Sequence, residues 1–425
     1  MKTEQIFTEL ESNVRSYCRS FPVVFNKACN HLLYDEKNNE YIDFFSGAGA
    51  LNYGHNNPIL KKSIMDYLDQ NGIIHSLDFY TEAKRNFLKK FDEIILKPKK
   101  LKYKIQFTGP TGTNAVEAAL KLARKVTNRT QVIAFTNGFH GMTLGALSAT
   151  SNSAHRAGSG IQLTGVTHMP YDGYLGDNID TITILEKMLD DKSSGLDTPA
   201  AFLLETIQAE GGINIASANW LKRLSALAKR KGILIIVDDI QVGCGRTGSF
   251  FSFEFSGIYP DIVCLSKSIG GYGLPLALVL IRPEHDTWKP GEHNGTFRGN
   301  NLAFIAGATA LDYWKDKQFH EDIERRGLII RHGLEKWRND YPAHKTEVRG
   351  KGMIQGIEWK DRSIASLVSE EAFKNGIIAE TCGAYSQVLK LMPPLTINDK
   401  DLARGLDIID SSINTVYKKT LNAVA

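Results

Sequence analysis

Cysteine is scarce in this chain and poorly placed for structural work. The five residues, Cys18, Cys29, Cys244, Cys264 and Cys382, are odd in number, scattered, and include no Cys-x-x-Cys pair. A disulfide framework and a structural zinc site are therefore not expected, nor is any other metal; reduced thiols in a cytoplasmic protein are. Long hydrophobic runs are also missing. The longest, 233–237 (ILIIV) and 276–281 (LALVLI), have strand length and fall far short of the ~20 residues a membrane helix needs. The segment 1–20 (MKTEQIFTELESNVRSYCRS) is charged throughout and lacks the apolar stretch of a secretion signal. No excess of one charge is present: the formal net charge is +4 over 425 residues. That gives no reason to expect nucleic acid or an anionic membrane as partner. Internal repeats, low-complexity tracts and long linkers are absent as well.

What is present fits a large globular chain. Hydrophobic residues make up 42% and charged residues 23%, enough to bury a sizeable core. At roughly 100–200 residues per domain, the length suggests two or three domains, or one large domain with a smaller partner. The segment 31–45 reads as two short strands around a polar turn, and 59–70 shows helical spacing of Ile59, Leu60, Ile64 and Leu68. From about residue 100, short apolar strands alternate with amphipathic helices. Strands are expected at 103–107, 131–135, 200–204, 233–237, 261–265 and 276–281, and helices at 114–126, 219–231 and 302–314. Such alternation predicts an α/β domain with a mainly parallel sheet, which places ligands beyond the carboxyl ends of its strands.

Four segments carry candidate chemistry. The turn 108–114 (TGPTGTN) joins a strand to a helix and could hold an anion on free backbone N–H groups, or be a plain turn capped by Asn114. Asp238 ends an apolar strand, where a carboxylate could face a protonated heterocyclic nitrogen or simply begin a turn; nearby Gln241 could reach a phenolate oxygen or be a loop residue. Lys267 follows another apolar strand, 29 positions after Asp238, among small residues. In a tight apolar setting its amine would have a lowered pKa and act as nucleophile or base; alone it could equally be solvated. Phe139 lies between glycines after a strand and could stack on a planar cofactor or pack within its loop; the adjacent His140 is expected to be structural.

In order, these motifs resemble the class III (ω-) aminotransferases, pyridoxal 5′-phosphate (PLP) enzymes of fold type I. The resemblance runs from YDEKNNEYIDFFSGAGALNYGH (34–55) through TGTNAVEAALKLAR (111–124), GFHGMTLGALS (138–148), ETIQAEGG (205–212), VDDIQVGCGRTG (237–248) and CLSKSIGGYGLP (264–275) to LKLMPPLTI (389–397). It implies a PLP-binding large domain over 59–310 and a smaller α+β domain built from 1–58 and 311–425. It also implies site roles: Lys267 bonded to PLP and shuttling the proton, Asp238 at the ring nitrogen and Phe139 on the ring. Thr111, Gly112 and Thr113 would lie at the phosphate, Gln241 near the ring hydroxyl, and Thr296 would reach a phosphate across a homodimer interface. Glu205 and Glu210 match the substrate-loop glutamates; by themselves they could be a solvated pair. Two departures stand out. The usual Asp-Glu pair is Asp238-Asp239, and the arginine that holds the substrate carboxylate is Lys390, which lacks the bidentate fork. Arg298 is then a rival for the carboxylate. The segments 11–28 and 44–58, the loop 295–300 and Lys390 are similar to family members that make L-2,4-diaminobutyrate, as in ectoine synthesis. The implied substrates are L-glutamate and L-aspartate 4-semialdehyde, with 2-oxoglutarate as co-product; the alternatives are another ω-aminotransferase, acting on ornithine, 4-aminobutyrate or siderophore-pathway diaminobutyrate, or a same-fold aminomutase.

Overall fold

The computed structural model describes residues 5–176 and 178–424, with side chains as far as residue 419. A short antiparallel sheet comes first: β1 (Phe25–Cys29), β2 (Leu32–Asp35) and β3 (Glu40–Asp43), with β15 (Ile377–Ile378) joining β3 in parallel. The large sheet takes β4 (Lys104–Phe107), β5 (Val132–Phe135), β6 (Val166–Met169), β7 (Ala201–Leu204), β10 (Leu234–Asp238), β11 (Ile262–Leu265) and β12 (Leu278–Ile281), in the order β4-β12-β11-β10-β7-β5-β6. Only β12 runs against the others. β8 (Ile207–Gln208) and β9 (Asn214–Ile215) form a separate small ribbon.

The apolar runs make sense because both faces of the large sheet are covered, so no strand position can be polar without cost. Successive residues point to opposite faces. Ile235, Val237, Val263 and Leu265 pack with Trp220, Phe250 and Phe304 on one side. Leu234, Ile236, Ile262 and Cys264 pack with Ala115, Val116, Ala119 and Leu122 of helix Gly112–Thr127 on the other. The strands and helices expected from about residue 100 are present, with ends shifted by a residue or two. The helix expected over 302–314 ends at Ala310 and tightens into a 3₁₀ turn over Leu311–Trp314. Helix Gly112–Thr127 is capped by Thr111 rather than Asn114: Asn114 sits in the first turn, and its Oδ1 accepts from the Thr111 N–H (3.3 Å) and hydroxyl (2.8 Å).

A second sheet, antiparallel in the order β13-β14-β17-β16, consists of β13 (Thr346–Lys351), β14 (Ile354–Trp359), β16 (Glu380–Cys382) and β17 (Val388–Leu391). It packs with helices Gln318–Asp340, Ser363–Lys374 and Asp399–Val424 around Trp337, Trp359, Leu389 and Ile409. The β13–β14 hairpin is locked onto the loop after β10. Fully buried Arg246 donates to Met353 O (3.1 Å), Pro393 O and Asn52 Oδ1, and Met353 N donates back to Arg246 O at 2.9 Å. Gly352 sits at this contact with φ +59°, and a Cβ there would lie 2.5 Å from the Thr247 carbonyl carbon. Left-handed strain of about 1–2 kcal/mol and a backbone clash of similar size add up, so Gly352→Ala is expected to destabilise by about 2–4 kcal/mol. A denaturation midpoint equal to that of the native chain would contradict this reading of the hairpin.

Candidate active site

The carboxyl ends of five strands converge. β10 delivers Asp238, β11 leads to Lys267, β7 to Glu205, β5 to the loop 136–143 and β4 to the turn 108–113. Between them lies a cavity of about 160 Å³ lined by Gly112, Thr113, Phe139, His140, Gly141, Glu205, Glu210, Asp238, Ile240, Gln241 and Lys267. Of the expected site residues, Gly112, Thr113, Phe139, Gln241, Glu210, Asp238 and Lys267 therefore meet here, and Thr111 caps the helix beside them.

Lys267 occupies a left-handed backbone position, φ 53°, at the start of a 3₁₀ turn. Such a conformation costs a non-glycine residue roughly 1–3 kcal/mol and is held only where the surroundings demand it. Its Nζ donates to Ala48 O at 2.8 Å. That carbonyl belongs to another strained run, Ser46 to Gly49, whose four φ values are all positive. Burial holds the Lys267 amine below the usual lysine range, with the Lys390 charge adding to it and Glu210 opposing.

Asp238 is 4% exposed and accepts from the Ile240 N–H at 3.2 Å and from His140 Nδ1 at 2.8 Å. Burial pushes the His140 imidazole down; the hydrogen bond and charge of Asp238 overcome it, leaving the pKa above the ordinary value. The apolar end of β10 thus buries a carboxylate that is held by a histidine ring nitrogen. His140 is structural in the sense that it holds Asp238, but it does so at the floor of the cavity, which its sequence neighbours do not reveal. Asp239 points away and accepts from the Ser252 N–H at 3.1 Å.

Glu205 and Glu210 are not a solvated pair. Glu205 is 5% exposed and accepts from the N–H groups of Phe139 (2.9 Å) and Ala209 (3.2 Å), so it supports the loop that carries Phe139. Burial raises its pKa to about 8. A carboxyl whose folded pKa exceeds its unfolded value favours the protonated fold. Stability is therefore lost as pH rises from about 4.5 toward 8. Glu205→Gln is expected to flatten that fall, which melting temperature against pH will show; equal slopes for both proteins would contradict it. Glu210 Oε1 accepts from Gln241 Nε2 at 2.9 Å and lies 2.7 Å from Lys390 Nζ. Burial alone would raise the Glu210 carboxyl, but Lys390 and Lys267 bring it down to about 2.

Lys390 is fully buried, with Glu210 on one side and Glu380 on the other at 2.9 Å. Glu380 had no place in the sequence reading; its signal is a pairing across β16 and β17. Thr296 and Arg298 lie apart within the chain. Thr296 is exposed, and its carbonyl accepts from His75 Nε2 at 3.0 Å. Arg298 pairs with Asp78 and lines a different cavity beside Trp288 and Phe107.

The Aminotransferase class-III family model matches residues 15–413. The chain belongs to the class-III aminotransferases. Among the relatives of this aminotransferase is the diaminobutyrate--2-oxoglutarate transaminase of Halalkalibacterium halodurans, 58% identical over 413 residues, which cover 97% of either chain. The protein of that name from Halomonas elongata is 53% identical over 418 residues, 97% of this chain and 99% of the relative. Among solved structures, the ornithine aminotransferase of Toxoplasma gondii ME49 superimposes with a TM-score of 0.85 at 28% identity, covering 99% of this chain and 97% of that one.

The family cofactor is PLP, and the residues present fit it. Gln241 Oε1, in this cavity, is a buried acceptor with no partner among the described residues, which suits a ring hydroxyl as donor. The Asp238 carboxylate at the cavity floor suits a protonated ring nitrogen, the lysine amine suits an aldehyde, and the start of helix Gly112–Thr127 suits a phosphate.

Proposed function

We propose that this aminotransferase moves an amino group from L-glutamate to L-aspartate 4-semialdehyde, yielding 2-oxoglutarate and L-2,4-diaminobutyrate. The observation that carries this reading is 58% identity, along 97% of both chains, to a transaminase named for diaminobutyrate and 2-oxoglutarate. PLP, when bound, takes the amino group and spreads the electron pair left on the carbon that loses its proton.

The chain's own residues do the rest. Lys267 Nζ, held uncharged more readily by burial, takes the proton from the substrate carbon and returns it on the cofactor side. Asp238, kept in place by His140, would hold the ring nitrogen protonated, so that the ring can accept the electron pair left on the substrate carbon. Phe139 forms one wall, supported from behind by Glu205. Thr111, Gly112 and Thr113 position the phosphate at a helix start. Lys390, rather than Arg298, is the cation for a substrate carboxylate, because it alone lies behind a group that lines this cavity. We further infer a homodimer, since Ile73, Ile74, Leu77, Phe79 and Tyr80 leave an apolar stretch exposed beside the Thr296 loop. Sedimentation showing a fully active monomer would overturn that part.

The test of function is a donor panel read by loss of the bound cofactor's visible absorbance, followed by mass spectrometry of products. Glutamate should bleach the absorbance and, with aspartate semialdehyde, yield diaminobutyrate. A response to ornithine or 4-aminobutyrate and none to glutamate would sink the substrate assignment.

A further inference from the structure

The loop 136–143 carries Phe139 to the Lys267 cavity, yet at Asn137 it borders another cavity, of about 400 Å³, which Gln208, Asn214 and Arg349 also line. Packing alone does not fix a backbone beside open space, so its hydrogen bonds decide where it sits. They run in one line from the second sheet. Arg349 on β13 donates from Nη1 to Asn214 Oδ1 at 2.7 Å. Asn214 Nδ2 donates to Gln208 Oε1 and to Gly211 O, both at 3.1 Å. Gln208 is 1% exposed, and its Nε2 donates to Thr136 O, at the start of the loop, at 2.7 Å. Gln208 and Asn214 are cross-strand partners of β8 and β9, and the turn between them carries Glu210 and Gly211. Gly211 lies so near the loop that a Cβ on it would stand 2.2 Å from Asn137 O. One line of donors thus fixes two walls of the site, the Phe139 loop and the Glu210 turn.

We propose that Arg349 is a positioning residue of the amino-transfer site, setting the Phe139 loop and the Glu210 turn against the second sheet through the oriented amides of Asn214 and Gln208. This deepens the amino-transfer reading and rests on it only for those two segments facing cofactor and substrate.

The line has a direction that its two ends impose. A guanidinium can only donate and a backbone carbonyl can only accept, so neither amide between Arg349 and Thr136 O can turn over without setting like groups against each other. The guanidinium itself is braced. Glu347 and Glu358 are cross-strand partners of β13 and β14, and both pair with Arg349 Nη2, which leaves Nη1 for Asn214. A tether between sheet and ribbon would need only the contact of Arg349 with Asn214. Positioning needs the donor on the other side of Asn214 as well.

Asn214→Asp separates the two. Aspartate still accepts from Arg349, now as an ion pair, but offers no N–H to Gln208 Oε1 or Gly211 O. Gln208 then turns its amide to meet the carboxylate, which sets its oxygen against Thr136 O. The experiment follows the holoenzyme by hydrogen exchange of the peptide spanning 136–143, visible circular dichroism of the bound cofactor, kcat and melting temperature. In Asn214→Asp, exchange in that peptide should quicken about tenfold and kcat should fall about tenfold. The dichroic band should weaken, while the melting temperature stays within about 5 °C of native. Gln208→Met lacks the last donor and should give the same changes, and the double variant should be no worse than either single one. Native exchange, dichroism and kcat in Asn214→Asp would reduce Arg349 to a tether and overturn the proposal. Faster exchange with native kcat would overturn it as well, and so would losses that add in the double variant. An Asn214→Asp chain that fails to fold, or melts far below native, also counts against it, because the contact with Arg349 is kept. Exchange and dichroism need no substrate, so detection of diaminobutyrate decides the amino-transfer reading separately.

Discussion

Turnover of Lys267→Ala is expected to fall by about 10³-fold or more, with the fold intact. A positioned acid–base group contributes roughly 10²–10⁴ in rate, and tethering that group at the reacting carbon adds to it. The loss to stability should be small by comparison. Lys267 makes one side-chain hydrogen bond, to Ala48 O, worth about 1 kcal/mol. Removing a buried amine also removes its desolvation cost, which offsets part of that. The left-handed φ of 53° is no worse for alanine than for lysine. The measurements are kcat for the overall reaction, the melting temperature, and mass spectrometry after borohydride reduction of the holoenzyme. Near-native turnover, or a label on a lysine other than 267 in the native protein, removes the basis of the proposed chemistry.

Asp238→Asn should be the second most damaging change, lowering kcat by about 10²–10³, the loss typical when one preorganised electrostatic partner is removed. Asparagine keeps the shape and an acceptor for the Ile240 N–H, now 3.2 Å from Asp238 Oδ1, but not the charge. Two consequences separate this variant from a misfolded one. Borohydride should still label Lys267, since the amine is untouched. The His140 imidazole should fall back below its present pKa, because burial is then opposed only by the more weakly acting charge of Glu205. That shift can be followed by NMR of the imidazole. If kcat is unchanged, Asp238 does not face the ring nitrogen and the cavity has been read upside down.

Much of this centre was legible in the chain because its main residues follow short apolar runs. An all-apolar strand cannot continue through a carboxylate or an ammonium, so Asp238 and Lys267 had to lie where β10 and β11 end, and parallel strands put those ends side by side. The glycine turn before helix Gly112–Thr127 was readable for the same local reason, although the cap proved to be Thr111. The edge strand β6 escaped notice because its residues Val166, Thr167 and His168 are only half buried and show no clean pattern. Lys390 was visible as a departure from arginine, but its setting was not. A lysine flanked by two carboxylates arises from the register of β16 against β17 together with a loop 180 residues away.

What the chain determined by itself is local: where strands and helices run, which turns can hold an anion, and which charged residues interrupt apolar segments. These follow from side-chain period and backbone preference over a few neighbours. The tertiary structure alone decided which buried charges meet. His140 finds Asp238 across 98 positions, and Lys267 finds the Ala48 carbonyl across 219. A buried ion is tolerable only beside its partner, and that partner is chosen by how distant segments pack, which no window of sequence contains.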